Sequence, residues 1–168
     1  MVSFKDIPQE PIKAALKILS SFDKAFRPQC LKTRDEAPAI SRRLEEFPSL
    51  TLQVGLVPTL TFYLSKIDEK AKIEVYNATI TAILEEVSSN RLCSDIENAG
   101  GGYPQASALL ATYIGNVAGC NENEVKILEQ YIVNCLSKIE QEGARIEKLA
   151  LNYAYELKKL ANALYHRV

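Results

Sequence analysis

The sequence predicts an all-α fold: a single helical domain over residues 1–168, arranged as a bundle of six to seven amphipathic helices around a kinked central helix. Three observations predict it. Apolar residues recur at helical spacing in almost every segment, and no stretch sustains the strict alternation of a strand. The connections are short, with no linker long enough to separate one domain from another. Composition agrees, with 47% apolar and 24% charged residues, ordinary for a globular chain.

The first helix is expected from Pro8 to Arg27, since prolines at 8 and 11 suit a helix entrance, where a missing N–H costs nothing. Ala15, Ile18, Leu19, Phe22 and Phe26 cluster on one side. Lys13, Lys17, Lys24 and Arg27 fall within about 80° of one another on the opposite side. A polar connection, Pro28 to Glu36, leads to a short second helix from Pro38 to Phe47 that carries Arg42 and Arg43. Pro48 then opens a third helix, whose apolar density marks it as the central, mostly buried one. Pro58 sits well inside it, and an interior proline costs about 3 kcal/mol in a straight helix. A kink or break is therefore expected between Val54 and Pro58, with Gly55 allowing close backbone approach.

The fourth helix is expected from Lys70 to Leu92, with Ile73, Tyr76, Ile80, Ile83, Leu84 and Val87 inward. The loop CSDIENAGGGYP follows, its glycines reading as a flexible surface connection. A fifth helix, Gln105 to Val117, ends at Ala118-Gly119, and Asn121 or Asn123 caps the sixth. The sixth shows Val125, Leu128, Tyr131, Ile132, Cys135, Leu136 and Ile139 as one stripe. Gly143 marks a bend before the last helix, Ala144 to His166, where Ile146, Leu149, Ala150, Tyr153, Leu157, Leu160 and Leu164 face inward.

The net charge of -1 advertises no global affinity for nucleic acid, but the average hides an asymmetry. Residues 13–43 hold eight bases against three acids, residues 68–147 six against thirteen, and residues 148–168 four against one. A polyanion should meet the first and last segments and avoid the middle. The N-terminus lacks the apolar core of a signal peptide, and no apolar run approaches the roughly 18 residues of a membrane helix, so a cytoplasmic address is expected. Cys30, Cys93, Cys120 and Cys135 form no CxxC pair and read as buried thiols; a disulfide at Cys30 or Cys93 would fit a hyperthermophile.

Chemistry is thinly supplied. The one histidine, His166, is terminal, which argues against a histidine base or a zinc site. The acid pairs Asp35-Glu36, Glu45-Glu46 and Glu85-Glu86 are neighbours that point about 100° apart on a helix, reading as solvated faces. Gly100-Gly101-Gly102 lacks the Lys-Ser/Thr and the preceding strand of a phosphate loop. No enzyme, cofactor or metal is expected. What remains is surface: the cationic stripe of the first helix, which is either a phosphate-tracking face or the solvated side of an amphipathic helix. On the last helix Arg145, Lys148 and Lys159 flank Tyr155, a ring that either stacks on a base or packs at a helix seam.

Arg42 to Ile67 reads RRLEEFPSLTLQVGLVPTLTFYLSKI. The order Phe47-Pro48, Gly55-Leu56, Thr59-Leu60-Thr61-Phe62 and Ser65-Lys66 resembles the small helical subunit of type III-B CRISPR RNA-targeting complexes, the fifth protein of the Cmr, or RAMP, module. Leu151 to Leu164 is similar to that family's closing helix. The resemblance covers about a quarter of the chain well. Pro58 departs from it, standing where the family has a polar helix former, and a related small subunit, of the type III-A complex or a divergent archaeal variant, also fits. The resemblance implies a non-catalytic subunit in several copies that stack into a minor filament beside the RAMP backbone subunits and the large polymerase-like subunit. There they would line the channel for crRNA and target RNA. The residues expected to touch RNA phosphates are Lys17, Lys24, Arg42 and Arg43, with Lys148 and Lys159 as a second set. A purely structural bridge between protein subunits is the alternative. A small-molecule enzyme or sensor is a third class, disfavoured by the scarcity of titratable groups.

Overall fold

The computed structural model describes residues 3–31, 38–93 and 101–165, and every regular element among them is helical. In chain order the helices are α1 (Pro11–Cys30), α2 (Pro38–Val54), α3 (Leu56–Ser65), α4 (Lys70–Glu85), α5 (Tyr103–Val117), α6 (Glu122–Lys126), α7 (Leu128–Gln130), α8 (Leu136–Glu142) and α9 (Ala144–Tyr165). Short 3-10 turns at Phe4–Asp6 and Asn90–Cys93 and a π-turn at Tyr131–Cys135 complete it. The all-α, single-bundle expectation holds. Among the described residues no helix is long and apolar enough to cross a membrane.

The central helix is α5, not the proline-containing third helix expected from its apolar density. Fourteen of the fifteen residues of α5 are buried. Its run of Ala106, Ser107, Ala108, Ala111 and Gly115 lets neighbours approach from all sides, so small volume rather than hydropathy sets its position. It is packed by α4, α9, α2 and α3, while α1 and α2 both lie against α9.

Helix ends follow from local chemistry. The first helix begins at Pro11 rather than Pro8, because the Glu10 carboxylate accepts the Lys13 backbone N–H at 2.7 Å and fixes the start. The second runs through Pro48 to Val54, beyond the expected end at Phe47. The expected break falls at Gly55, whose φ of 99° only glycine adopts cheaply. Pro58 then occupies the third position of α3, where its missing N–H would have had no helical partner. Thr59 closes the turn, its hydroxyl donating to the Gly55 carbonyl at 2.7 Å. The fourth helix stops at Glu85, short of Leu92, and Val87 is 51% exposed beyond it.

Gly101 and Gly102 do not form a surface connection: both are buried. Gly102 has φ 85°, and a Cβ there would sit 2.7 Å from the Ala39 carbonyl carbon. The rest of that glycine-rich loop, and His166, lie outside the described residues. Asn121 caps as expected, in a reciprocal capping box with Glu124. The expected single sixth helix is divided. The Tyr76 hydroxyl takes the Val125 carbonyl at 2.8 Å, and the π-turn then places Tyr131 and Cys135 inward. Ile132, expected inside, is 47% exposed because the widened turn shifts the phase of the stripe. Leu164 is likewise on the surface at 39%.

Six fully buried tyrosines tie elements together. Tyr63 donates to the Arg43 carbonyl, Tyr76 to Val125, Tyr113 to Gln9, Tyr131 to Ala111, Tyr153 to Leu109, and Tyr165 to the Asp23 carboxylate. Burial pushes the Tyr113 phenol up to about 12, and raises the other five as well.

The cysteines are not free thiols. Cys30 is bonded to Cys93 and Cys120 to Cys135, with Cα separations of 5.1 and 5.5 Å. Only Cys135 was placed inward by helical phase, and neither that phase nor the spacing of the other three carries information on such distances.

Replacing Cys30 and Cys93 by serine should cost about 4 kcal/mol of stability in urea titrations, because their 63-residue separation closes the longer loop. The Cys120/Cys135 double variant, closing 15 residues, should cost about 3 kcal/mol. Raising the pH should also unfold the chain. An unfolded tyrosine titrates near about 10, whereas folded Tyr113 holds its proton to about 12. The tyrosines' contribution is therefore complete below the unfolded value and is lost as pH climbs above it. Urea midpoints that stay level across that alkaline range would contradict the assignment.

Candidate nucleic-acid interface

On α2, Arg42 and Arg43 are separated by one step of the helix and have opposite fates. Arg42 is exposed. Arg43 is only 8% exposed: its Nε donates to the Gly101 carbonyl at 3.1 Å, and its Nη1 donates to Glu46 Oε2 at 3.2 Å. Its guanidinium carbon is 4.4 Å from the centroid of the Tyr103 ring. The expectation that Arg43 offers a phosphate contact is corrected: the side chain is consumed by the join between α2 and the start of α5.

The cations of α1 keep their outward face. Lys13, Lys17 and Lys24 line a groove of about 530 Å3 with Pro8, Leu16 and Ser20. Glu86 stands at its edge, 3.9 Å from the Lys24 ammonium. Arg27 is drawn aside by Asp23 at 3.0 Å. Such exposed pairs hold weakly, by about 1 kcal/mol or less, and leave the cations able to exchange partners.

The secondary set lies elsewhere. Lys148 and Tyr155 line a wider groove of about 820 Å3 at the Gly55 break, together with Val54, Pro58, Glu140 and Glu147. Tyr155 is 40% exposed, so it does not pack at a helix seam. Two carboxylates against one lysine make that groove net acidic, and Glu147 accepts the Leu56 N–H at the head of α3 at 3.4 Å. Lys159 is exposed and pairs with Glu156 at 2.7 Å. The expected residues thus occupy separate places: an α1 groove, the outer face of α2, and two positions along α9.

One cluster is not visible in the sequence. Phe47 meets Tyr63 edge-on at 5.2 Å, Tyr63 meets Tyr103 at 5.2 Å, and Tyr103 meets Phe62 at 6.2 Å. This chain of rings runs from the core to the surface, where the Lys66 ammonium lies 4.9 Å from the Phe62 centroid. The signal available was the spacing of Phe62 and Lys66, four residues apart on one helix. Nothing in the sequence indicated that Tyr103 would be their neighbour.

Among the described residues, no group of three or more His, Cys, Asp or Glu side chains is placed to hold a metal ion. No protein-family model, curated protein or solved structure matches this chain.

Arg43→Met should lower stability by about 2 kcal/mol, since it strands the Gly101 carbonyl and leaves Glu46 without its partner. Arg42→Gln should stay within about 0.5 kcal/mol of the parent. Urea denaturation of the two variants separates the roles.

Proposed function

We propose that the chain is a non-catalytic small subunit of a type III-B CRISPR RNA-targeting complex, acting in antiviral defence in the cytoplasm of a hyperthermophile, the setting in which intracellular disulfides such as its two persist. In this reading it stacks with further copies of itself beside the RAMP backbone and large polymerase-like subunits. It contacts the crRNA–target duplex through phosphates, and other subunits cut the RNA.

The observation that carries the reading is the one the resemblance rests on. The residues from Phe47 to Lys66, which carry it, make up the end of α2, the Gly55 break and α3 with its C-cap. Its second support is electrostatic. Lys17, Lys24 and Arg42 stand on outer faces of rigid helices, which suits sequence-independent phosphate contact and gives no base readout by itself. Lys148 and Lys159 contribute less, the first facing two carboxylates and the second already paired.

A purely structural bridge remains the second reading, favoured by aliphatic side chains left in solvent. Leu52, Val54 and Val133 are 64%, 58% and 65% exposed, an arrangement that suits protein partners.

The test is the salt dependence of target-RNA binding by the assembled complex. Replacing Lys17, Lys24 and Arg42 together by glutamine should lower the slope of log K against log salt by about 2, at roughly 0.7 per single-strand phosphate. An unchanged slope, with no RNA crosslink to α1, α2 or α9, would transfer the assignment to the bridge.

A further inference from the structure

Phe4, Phe22, Phe26 and Phe47 are buried to 5% exposure or less, whereas Phe62 is 44% exposed. It is also packed against neighbouring rings. Tyr63 and Tyr103 meet its ring edge-on at 6.1 and 6.2 Å, and Tyr103 is itself clamped from behind by Arg43. Arg43 in turn is fixed by the Gly101 carbonyl and by Glu46. The anchoring therefore reaches from the α2–α5 join out to a surface ring.

We propose that Phe62, with Lys66 beside it, is a stacking platform for one unpaired base of the RNA, in the single strand that continues beyond the crRNA–target duplex. This rests on the RNA-contact reading above and adds to it a contact with a base, where that reading invokes phosphates alone. A nucleobase stacks on an aromatic face without regard to its identity, and a ring already packed against two others loses less freedom when it does so. The Lys66 ammonium, now over the ring, is placed to follow the base and meet the adjoining phosphate.

The surroundings favour a nucleotide over an apolar peptide. Beside Phe62 the exposed residues are Thr61, Ser65 and, at the end of α3, Lys66, all polar; Pro58, one turn away, is the other exposed apolar residue of the helix, and the Ser65 and Thr61 hydroxyls are turned back to the Phe62 and Val57 carbonyls. Glu46, the carboxylate behind the cluster, is occupied by Arg43. Tyr155 offers a second exposed ring, but in a groove with two carboxylates that repel a phosphate.

The experiment compares binding of the full chain, at low salt, to a short oligouridylate and to an abasic oligomer of equal length. The parent should prefer the oligouridylate by about fivefold or more. Phe62→Ala and Phe62→Leu should erase that preference while Phe62→Trp retains it, and Lys66→Gln should weaken both oligomers. The leucine variant keeps the apolar contact with Tyr103, so a folding defect in the alanine variant does not decide the result.

Equal affinity of the parent for the two oligomers would overturn the platform. If the Lys17, Lys24 and Arg42 variant still weakened both, the phosphate reading would stand. A preference that survives in Phe62→Leu would place the stacking elsewhere and likewise overturn it. A Phe62→Leu chain that binds both oligomers as the parent does, yet no longer joins its protein partners, would make the face a protein contact. Binding of neither oligomer would remove the platform and the RNA reading together.

Discussion

A hydroxyl taken out of water is costly to leave without an acceptor, and this bundle buries six paired ones on tyrosines. Each is paired with a group on another element: α3 to α2, α4 to the end of α6, α5 to the segment before α1, the π-turn to α5, and α9 to both α5 and α1. Leaving one unpaired would cost about 1–3 kcal/mol, so each bond restricts how its two helices slide and rotate. Aliphatic packing alone tolerates several registers; a tyrosine whose oxygen must meet one carbonyl does not. The Tyr76 bond to Val125 illustrates the reach of this constraint, because it ties α4 to the last turn of α6, next to the point where that helix ends at Ile127.

The surface inherits its arrangement from these ties. Tyr63 fixes the carbonyl of Arg43, which sets the rotation of α2 and so decides that Arg43 turns in and Arg42 turns out. Both charges are equivalent in sequence, and only the rotation separates a structural arginine from an exposed one. The Gly55 break then redirects the chain so that α3 carries Phe62 and Lys66 to the surface and Tyr63 to the core. A site on such a scaffold is positioned by the interior rather than by loops, which is the more precise way to hold a ligand-facing side chain.

What the sequence made legible was whatever depends on near neighbours. The inward face of α1, the break near Pro58, the Asn121 cap and the bend at Gly143 are all set within a few residues, and periodicity or turn chemistry reports them. What it concealed depends on partners distant in the chain. The centrality of α5 arises from how closely others approach its small residues, although α3 is the more apolar segment. The phase shift that exposes Ile132 follows from a π-turn with no local marker. Arg43 and the two cystines needed distances across the fold. Of the candidate site, the outward cations were readable from charge segregation, while the ring cluster at Tyr103 was not.

The covalent pairing of the cysteines bears on how the protein is prepared. Four sulfurs can be joined in three ways, and only one of these places Cys30 with Cys93 and Cys120 with Cys135. Material made in a reducing host begins as four thiols and can oxidise into two mispaired isomers as well as the native one. Peptide mapping of the cystines thus serves as a criterion of homogeneity for this chain, independent of its mass and its helical content.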